Sequence, residues 1–145
     1  MRAQTIRHTR KKKNTLEDDH QIALFEWAQH CRLPELPTVE PGARLTDYLI
    51  HIPNGGKRGK AEAGRFKAMG VKRGVSDLLL PIPHRGFAGL WIEMKAPYTD
   101  SRDKNYPSKE QKEWLARMQL AGYQTAVCYG WLNAKMTIQR YLWSN

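Results

Sequence analysis

The chain has 145 residues, 41% of them hydrophobic, which is enough for one domain with a sizeable core. Its 24 basic and 14 acidic residues leave a formal charge of +10, which indicates a polyanionic partner. Two cysteines without a C-x-x-C pattern argue against a disulfide scaffold and a structural zinc site. No apolar stretch approaches the roughly 20 residues of a membrane span, so we expect a soluble protein of the cytoplasm.

The first 13 residues predict a basic arm. They contain no acid and six cations, namely Arg2, Arg7, Arg10, Lys11, Lys12 and Lys13. Such an arm adds phosphate affinity without sequence preference, and the cluster from Arg10 to Lys13 is the candidate contact. A disordered terminus that only improves solubility is the alternative. Residues 14–145 then form the folded domain.

Asn14 or Thr15 is predicted to cap a helix that runs to about Cys31. One face of this helix repeats at helical spacing and carries Glu17, Gln21, Leu24, Ala28 and Cys31. Glu17 stands at the end of this inward-facing stripe, which suits a supporting metal ligand. A carboxylate that only stabilises the helix dipole is the alternative.

The middle of the chain alternates connectors with short elements. Residues 33–46 contain three prolines and predict an irregular connector. Residues 48–52 follow as a short strand. A brief helix is expected over 61–69, and Gly70 can adopt the left-handed conformation that ends it.

Two basic segments flank that brief helix and are candidates for phosphate contacts. The first is a glycine-rich loop, and the second leads into the next strand. The candidates are Asn54, Lys57, Arg58 and Lys60 in the first, and Lys72 and Arg73 in the second. For the second segment, a solvated turn is the alternative.

Two apolar runs, 76–80 and 89–95, flank a turn-forming segment that spans 83–87. This pattern predicts an antiparallel hairpin. With the turn centred on Arg85, Asp77 lies opposite Glu93. Side chains alternate along a strand, so Glu93 and Lys95 share a face about 7 Å apart.

Two carboxylates and an ammonium group therefore converge at one end of the hairpin. Magnesium binds through one or two carboxylates and keeps several waters. A lysine beside such an ion can orient the attacking water and stabilise charge on a phosphate. Asp77, Glu93 and Lys95 thus predict a metal-dependent phosphodiesterase. The alternative is an acid and a lysine on the solvated face of an edge strand.

The last third predicts a polar loop over 96–107, a helix that starts at Ser108, a strand over 123–129 and a helix over 131–141. Ser108-x-x-Gln111 has the form of a capping box, which explains Gln111 structurally. Gln111 also shares a helix face with apolar residues, so its side chain is expected to point inward near the site.

The segment from Gly70 to Asp77, followed by Glu93-x-Lys95, resembles the VRR-NUC branch of the PD-(D/E)xK nuclease superfamily. Four further blocks support the resemblance: Glu17-x-x-x-Gln21, Ile52 to Gly56, Ser108 to Gln111, and Gly122-Tyr123. Two departures are Lys72 in place of the first motif arginine and Ser76 in place of the proline before the aspartate. Neither departure removes a carboxylate.

The resemblance implies an α/β fold with a restriction-endonuclease-like core, in which a small mixed sheet is flanked by helices. It implies a stand-alone nuclease of phage or bacterial type that uses Mg²⁺ or Mn²⁺. Asp77, Glu93 and the Met94 carbonyl would hold the ion with possible help from Glu17, while Lys95 and Gln111 would complete the catalytic set.

A homodimer that cuts branched DNA, such as a four-way (Holliday) junction, in replication, recombination or repair is the implied assembly. An inactive DNA-binding module and a protein-interaction adaptor are the alternatives. The complete set of Asp77, Glu93 and Lys95 argues against the first, and the basic arm argues against the second.

Overall fold

The computed structural model describes residues 2–53 and 59–144, with side chains from Thr15 onward. In this part of the chain there are four α-helices and four strands. They are α1 (Arg2–His30), β1 (Ile50–His51), α2 (Lys60–Ala68), β2 (Leu78–Leu80), β3 (Leu90–Lys95), α3 (Lys109–Leu120), β4 (Gln124–Tyr129) and α4 (Trp131–Trp143).

Helix α1 begins at Arg2, so the predicted start at Asn14 or Thr15 is wrong. Residues 2–13 have helical backbone. The run of arginine, lysine, alanine and glutamine favours a helix, and neither Asn14 nor Thr15 outweighs that preference within a continuing helix. Phosphate binding by Arg10 to Lys13 stays a prediction, because their side chains lie outside the described residues.

The four strands form one mixed sheet in the order β1-β2-β3-β4. The first two pairs are antiparallel, and β3 and β4 run parallel. This confirms the predicted α/β class with a small mixed sheet. Strand β1 is shorter than predicted, because Leu45–Asp47 form a 3-10 turn and β1 pairs only with the short β2.

The β2–β3 hairpin turns at Arg85 and Gly86, whose φ angles are 48° and 81°. Positive φ at both central residues is the type I′ geometry that matches strand twist. The backbone of His84 exchanges two hydrogen bonds with Phe87, at 3.1 and 2.9 Å. The hairpin predicted from the sequence is confirmed.

Alternation along β3 divides the sheet into two faces. One face packs against α1 and α4 in the main core, which contains Leu24, Ala28, Leu78, Leu80, Leu90, Ile92, Met94, Ala134 and Ile138. The other face carries Trp91, Glu93 and Lys95 and packs against α3. Trp91 meets Trp114 of α3 edge-to-face, with ring centroids 5.3 Å apart. Both faces are therefore covered, and the polar residues of β3 lie beneath α3.

Helix α4 extends two residues beyond the predicted end and buries Tyr141 completely. The Tyr141 hydroxyl donates to the Ile82 carbonyl at 2.6 Å. None of the described helices is long and apolar enough to cross a membrane.

Candidate active site

The register of the hairpin brings Asp77 beside Glu93. Leu78 pairs with Ile92 in the β2–β3 ladder, so the preceding residue, Asp77, stands opposite Glu93. The Asp77 carboxylate reaches across the ladder, where Oδ2 accepts a hydrogen bond from the Met94 amide at 2.7 Å. The predicted pairing of the two acids is therefore present in the fold.

Gln111 connects Glu93 to Lys95. Its Nε2 donates to Glu93 Oε1 at 2.7 Å, and its Oε1 accepts from Lys95 Nζ at 3.1 Å. Lys95 Nζ also lies 3.6 Å from Glu93 Oε1. The amide thus holds the carboxylate and the ammonium group in a fixed relation, as its donor and acceptor ends require.

The capping function of Gln111 is also present. Gln111 Oε1 accepts from the Ser108 amide at 2.8 Å, and the Gln111 amide donates to Ser108 Oγ at 3.2 Å. Gln111 therefore caps α3 and also contacts the site residues. Because the side chain is fixed by its own helix terminus, α3 presents it to Glu93 in one orientation.

Glu93 and Lys95 are nearly inaccessible to water, with 2% and 7% of their surfaces exposed. Burial and then repulsion from Asp77 raise the pKa of Glu93 to about 8, although Lys95 partly opposes both effects. Burial also raises the pKa of Asp77, which the Met94 amide and Lys95 oppose. At neutral pH without a cation, this pair retains a proton.

Glu17 approaches the site from α1. The Ala96 amide, directly after β3, donates a hydrogen bond to its carboxylate, and Lys95 lies within electrostatic reach. Burial and then Asp77 raise the pKa of Glu17. Three carboxylates therefore interact around Lys95. Glu17 belongs to α1, Asp77 directly precedes β2, and Glu93 belongs to β3.

Comparison with known proteins agrees with this arrangement. The family model for the VRR-NUC domain matches residues 15–131. A solved structure described as a VRR_NUC domain protein has 31% sequence identity and a TM-score of 0.69, and the match covers 88% of each chain. Among curated proteins, none matches. This chain belongs to the VRR-NUC family. The resemblance found in the sequence is confirmed, together with the α/β nuclease fold.

The donor set of this VRR-NUC site fits a small divalent cation. Glu93 Oε2 is buried and has no hydrogen-bond partner among the described residues. The Lys95 carbonyl accepts from Gly130 on the β4 side, so the alternating Met94 carbonyl faces the Asp77 side. No group of three or more His, Cys, Asp or Glu side chains in the described ranges has metal-binding spacing. Two carboxylates, one carbonyl and waters are nevertheless a ligand set that magnesium accepts.

Gly74, in the segment that resembles the VRR motif, is a site residue that the sequence analysis missed. Its φ is +80°, and a Cβ atom there would lie 2.4 Å from the backbone carbon and oxygen of Glu110. The segment before Asp77 therefore touches the first turn of α3 directly. This contact sets the position of Gln111 relative to the carboxylates. The sequence shows a glycine shortly before a strand, but it does not show that this glycine contacts Glu110.

Three of the predicted basic residues have described side chains. Lys60, Lys72 and Arg73 are exposed, the last two in the turn between α2 and Asp77. Arg65 and Lys67 on α2 are also exposed and were not predicted. Asn54, Lys57 and Arg58 lie outside the described residues, so their contribution stays a prediction.

Substituting Gly74 with alanine is expected to unfold or misplace the start of α3. The added methyl group collides with backbone atoms of Glu110. The alanine must also adopt a positive φ, which alone costs about 1–3 kcal/mol. Cleavage and melting temperature should both fall. Gly42→Ala is the matched control, because its φ is +77° and nothing lies within 4 Å of the added atom. Equal melting temperatures for the two variants would contradict the contact with α3.

The pKa of Glu93 predicts a pH-dependent stability of the metal-free protein. Its native pKa is about 8 against an ordinary value of 4.5, so the native state binds the extra proton between these values. The resulting stabilisation is complete below pH 4.5 and is lost as the pH rises through 8. Between pH 5 and pH 9 in EDTA, the melting temperature should fall by a few degrees more in the parent than in Glu93→Gln. Parallel pH profiles would show that Glu93 does not hold this proton.

Proposed function

We propose that this VRR-NUC chain is a divalent-metal-dependent DNA endonuclease that hydrolyses phosphodiester bonds. The observation that carries the proposal is the buried contact of Glu93 and Lys95 with the Gln111 amide. Burying these charges raises the pKa of Glu93 and leaves one of its oxygens without a hydrogen-bond partner among the described residues, which costs stability. Such a cost is typical of an active site.

The ligands of the ion would be Asp77, Glu93 and the Met94 carbonyl, with Glu17 as a supporting carboxylate. Mg²⁺ or Mn²⁺ held there would act as a Lewis acid and lower the pKa of water. The protein contributes the geometry, because the Met94 amide fixes Asp77 and Gln111 fixes Glu93. Glu17 is held by the Ala96 amide, so all three carboxylates are oriented by backbone or amide donors.

Lys95 would position the attacking water and stabilise negative charge on the phosphate. An ammonium group has three N–H donors. Gln111 Oε1 takes one at 3.1 Å, and Glu93 Oε1 lies 3.6 Å away. At least one donor is therefore available to water or a phosphate oxygen. Since Lys95 is 7% exposed, its charge acts with little screening by solvent.

DNA binding would use the exposed cations near this centre. Lys60, Lys72 and Arg73 would contact phosphates, and the exposed Arg65 and Lys67 of α2 would extend the same basic segment. None of these five side chains forms a salt bridge with a described acid. We add to them the predicted loop residues Asn54, Lys57 and Arg58, and the arm residues Arg10, Lys11, Lys12 and Lys13. The charge of +10 supports this assignment.

We further propose that the enzyme is a cytoplasmic homodimer that acts on branched DNA in replication, recombination or repair. Two identical sites related by a two-fold axis suit paired cuts in a four-way junction. Tyr141 of α4 is fully buried and contributes no surface to an interface. Trp143 remains 47% exposed, together with Leu132 at 59% and Met136 at 49% on α4.

An inactive DNA-binding module is the second candidate from the sequence. The observed contacts favour the enzyme, because the Asp77, Glu93 and Lys95 side chains are all present and share one network. A module that only binds DNA gains nothing from two buried carboxylates, which repel phosphate. An adaptor protein also has no use for the network.

Removing a carboxylate should abolish cleavage without abolishing DNA binding. Asp77→Asn and Glu93→Gln remove proposed ligands, yet they also remove repulsion against phosphate. Lys95→Met retains the aliphatic stem and should lower the cleavage rate by about 10²-fold or more. Cleavage of end-labelled duplex, flap and junction DNA in Mg²⁺ and in Mn²⁺ measures these effects, and gel shift measures binding.

Two variants outside the site serve as controls for these measurements. Glu26 is an exposed acid on α1, and Lys135 lies over the rings of Trp27 and Trp131, 5.5 and 5.8 Å from their centroids. Glu26→Gln and Lys135→Met should cleave like the parent. Undiminished cleavage by Asp77→Asn, Glu93→Gln and Lys95→Met, once folding is verified by circular dichroism, would refute the catalytic assignment.

The proposed homodimer predicts a mass in solution and a pattern of cuts. Light scattering at micromolar protein should give twice the chain mass of 16.8 kDa, and a four-way junction should be cut symmetrically in two opposing strands. A mass of one chain with and without junction DNA, combined with cuts in one strand only, would refute the paired-site model. That outcome would favour a flap or nicking nuclease.

A further inference from the structure

Three tyrosines surround one lysine in the segment that follows β3. Lys104 Nζ lies 5.2 Å from the ring centroid of Tyr98, 5.1 Å from that of Tyr106 and 4.9 Å from that of Tyr129. The Tyr98 and Tyr129 rings are 5.2 Å apart and meet edge-to-face at 88°. Cation–π attraction to three rings at once holds these side chains in one arrangement, which we call the tyrosine cluster.

The tyrosine cluster adjoins the site described above. Tyr129 is the last residue of β4 and pairs with Lys95, the last residue of β3. Adjacent strands are about 4.8 Å apart, and paired residues project to the same face. The segment 96–107, which carries Tyr98 and Tyr106, begins directly after Lys95 and leads to the helix that carries Gln111. The cluster is therefore tied at both ends to residues of the proposed catalytic network.

Packing of the core does not explain these rings. Tyr106 is 62% exposed and Tyr98 is 39% exposed, and neither belongs to the apolar core. The hydrogen bond with Tyr98 raises the pKa of Lys104, so this side chain keeps its positive charge. No salt bridge joins Lys104 to a described acid. Exposed aromatic rings beside an unneutralised cation are the combination that binds unpaired nucleotides, through stacking on the bases and attraction to the phosphates.

We propose that the tyrosine cluster binds an unpaired nucleotide next to the scissile phosphate, with the base stacked on Tyr106 and the neighbouring phosphate at Lys104. The proposal rests on the nuclease function proposed above and explains how the enzyme would distinguish branched DNA from a continuous duplex. A continuous duplex keeps its bases stacked on each other and gains nothing from the cluster. DNA with an unpaired base at a branch or flap, within one or two nucleotides of the cut, gains the stacking contact.

The test compares two DNA substrates of one sequence in Mg²⁺. One is a continuous duplex, and the other is a flap with an unpaired 2-aminopurine next to the cut. Binding is measured in the Lys95→Met background, where the DNA stays intact, and cleavage is measured in the parent. Tyr106→Ala should weaken flap binding about tenfold, as expected for one stacked base, and should change duplex binding less than twofold. The Lys95→Met protein should quench 2-aminopurine fluorescence, and the same protein with Tyr106→Ala added should not.

Two further variants separate stacking from a role in loop structure. Tyr106→Phe keeps the ring and should bind the flap like the parent. Leu120→Ala removes another exposed apolar side chain, 91% accessible at the end of α3, and should change the binding of neither substrate. Equal losses of flap and duplex binding in Tyr106→Ala, or no quenching by the Lys95→Met protein, would overturn the proposal. If the parent cleaves no DNA, the nuclease function fails instead, and the fluorescence measurement still decides whether the base stacks.

Discussion

The pairing of β2 with β3 is the constraint on which the core and the site both depend. Leu78 and Ile92 are paired and fully buried against α1 and α4. Because side chains alternate, the same register sends Asp77 and Glu93 to the opposite face. A slip by one residue would turn Leu78 and Leu80 away from α1 and α4 and separate the two carboxylates. Burial of apolar surface in the core therefore sets the relative position of the acids.

The site itself opposes folding, and its neighbours limit this cost. Glu93 is buried beside Asp77 with its pKa raised to about 8, and one of its oxygens has no partner among the described residues. Gln111 and Lys95 stabilise the other oxygen. A cation bound between the carboxylates would remove both the repulsion and the missing contact. Proteins commonly keep such locally unfavourable arrangements where function requires them.

Helix α3 joins the parts of the site. Its first turn packs on the backbone of Gly74, and its N-terminal glutamine serves as cap and bridge. The segment 96–107 enters this helix from the end of β3 and carries the tyrosine cluster. A displacement of α3 would therefore move Gln111 and strain the segment that carries Tyr98 and Tyr106. Catalytic geometry and the proposed contact with an unpaired nucleotide share one structural support.

Local patterns were sufficient to predict the elements that neighbouring residues control. The hairpin register, the capping box at Ser108 and the inward position of Glu17 follow from turn chemistry and periodicity, which act within a few residues. The predicted start of α1 was wrong, because the preference of Asn14 for a helix N-cap is weaker than the helix preference of the residues around it.

Tertiary structure alone decided the contacts between distant segments. Position 74 requires glycine because the backbone of Glu110 lies against it. No sequence pattern near Gly74 indicates this contact. Tyr129 joins Tyr98 and Tyr106 only because β4 runs parallel to β3 and ends opposite Lys95. Periodicity and capping describe how a chain bends locally, whereas these contacts depend on how strands and helices are arranged in space, which the burial of the whole core determines.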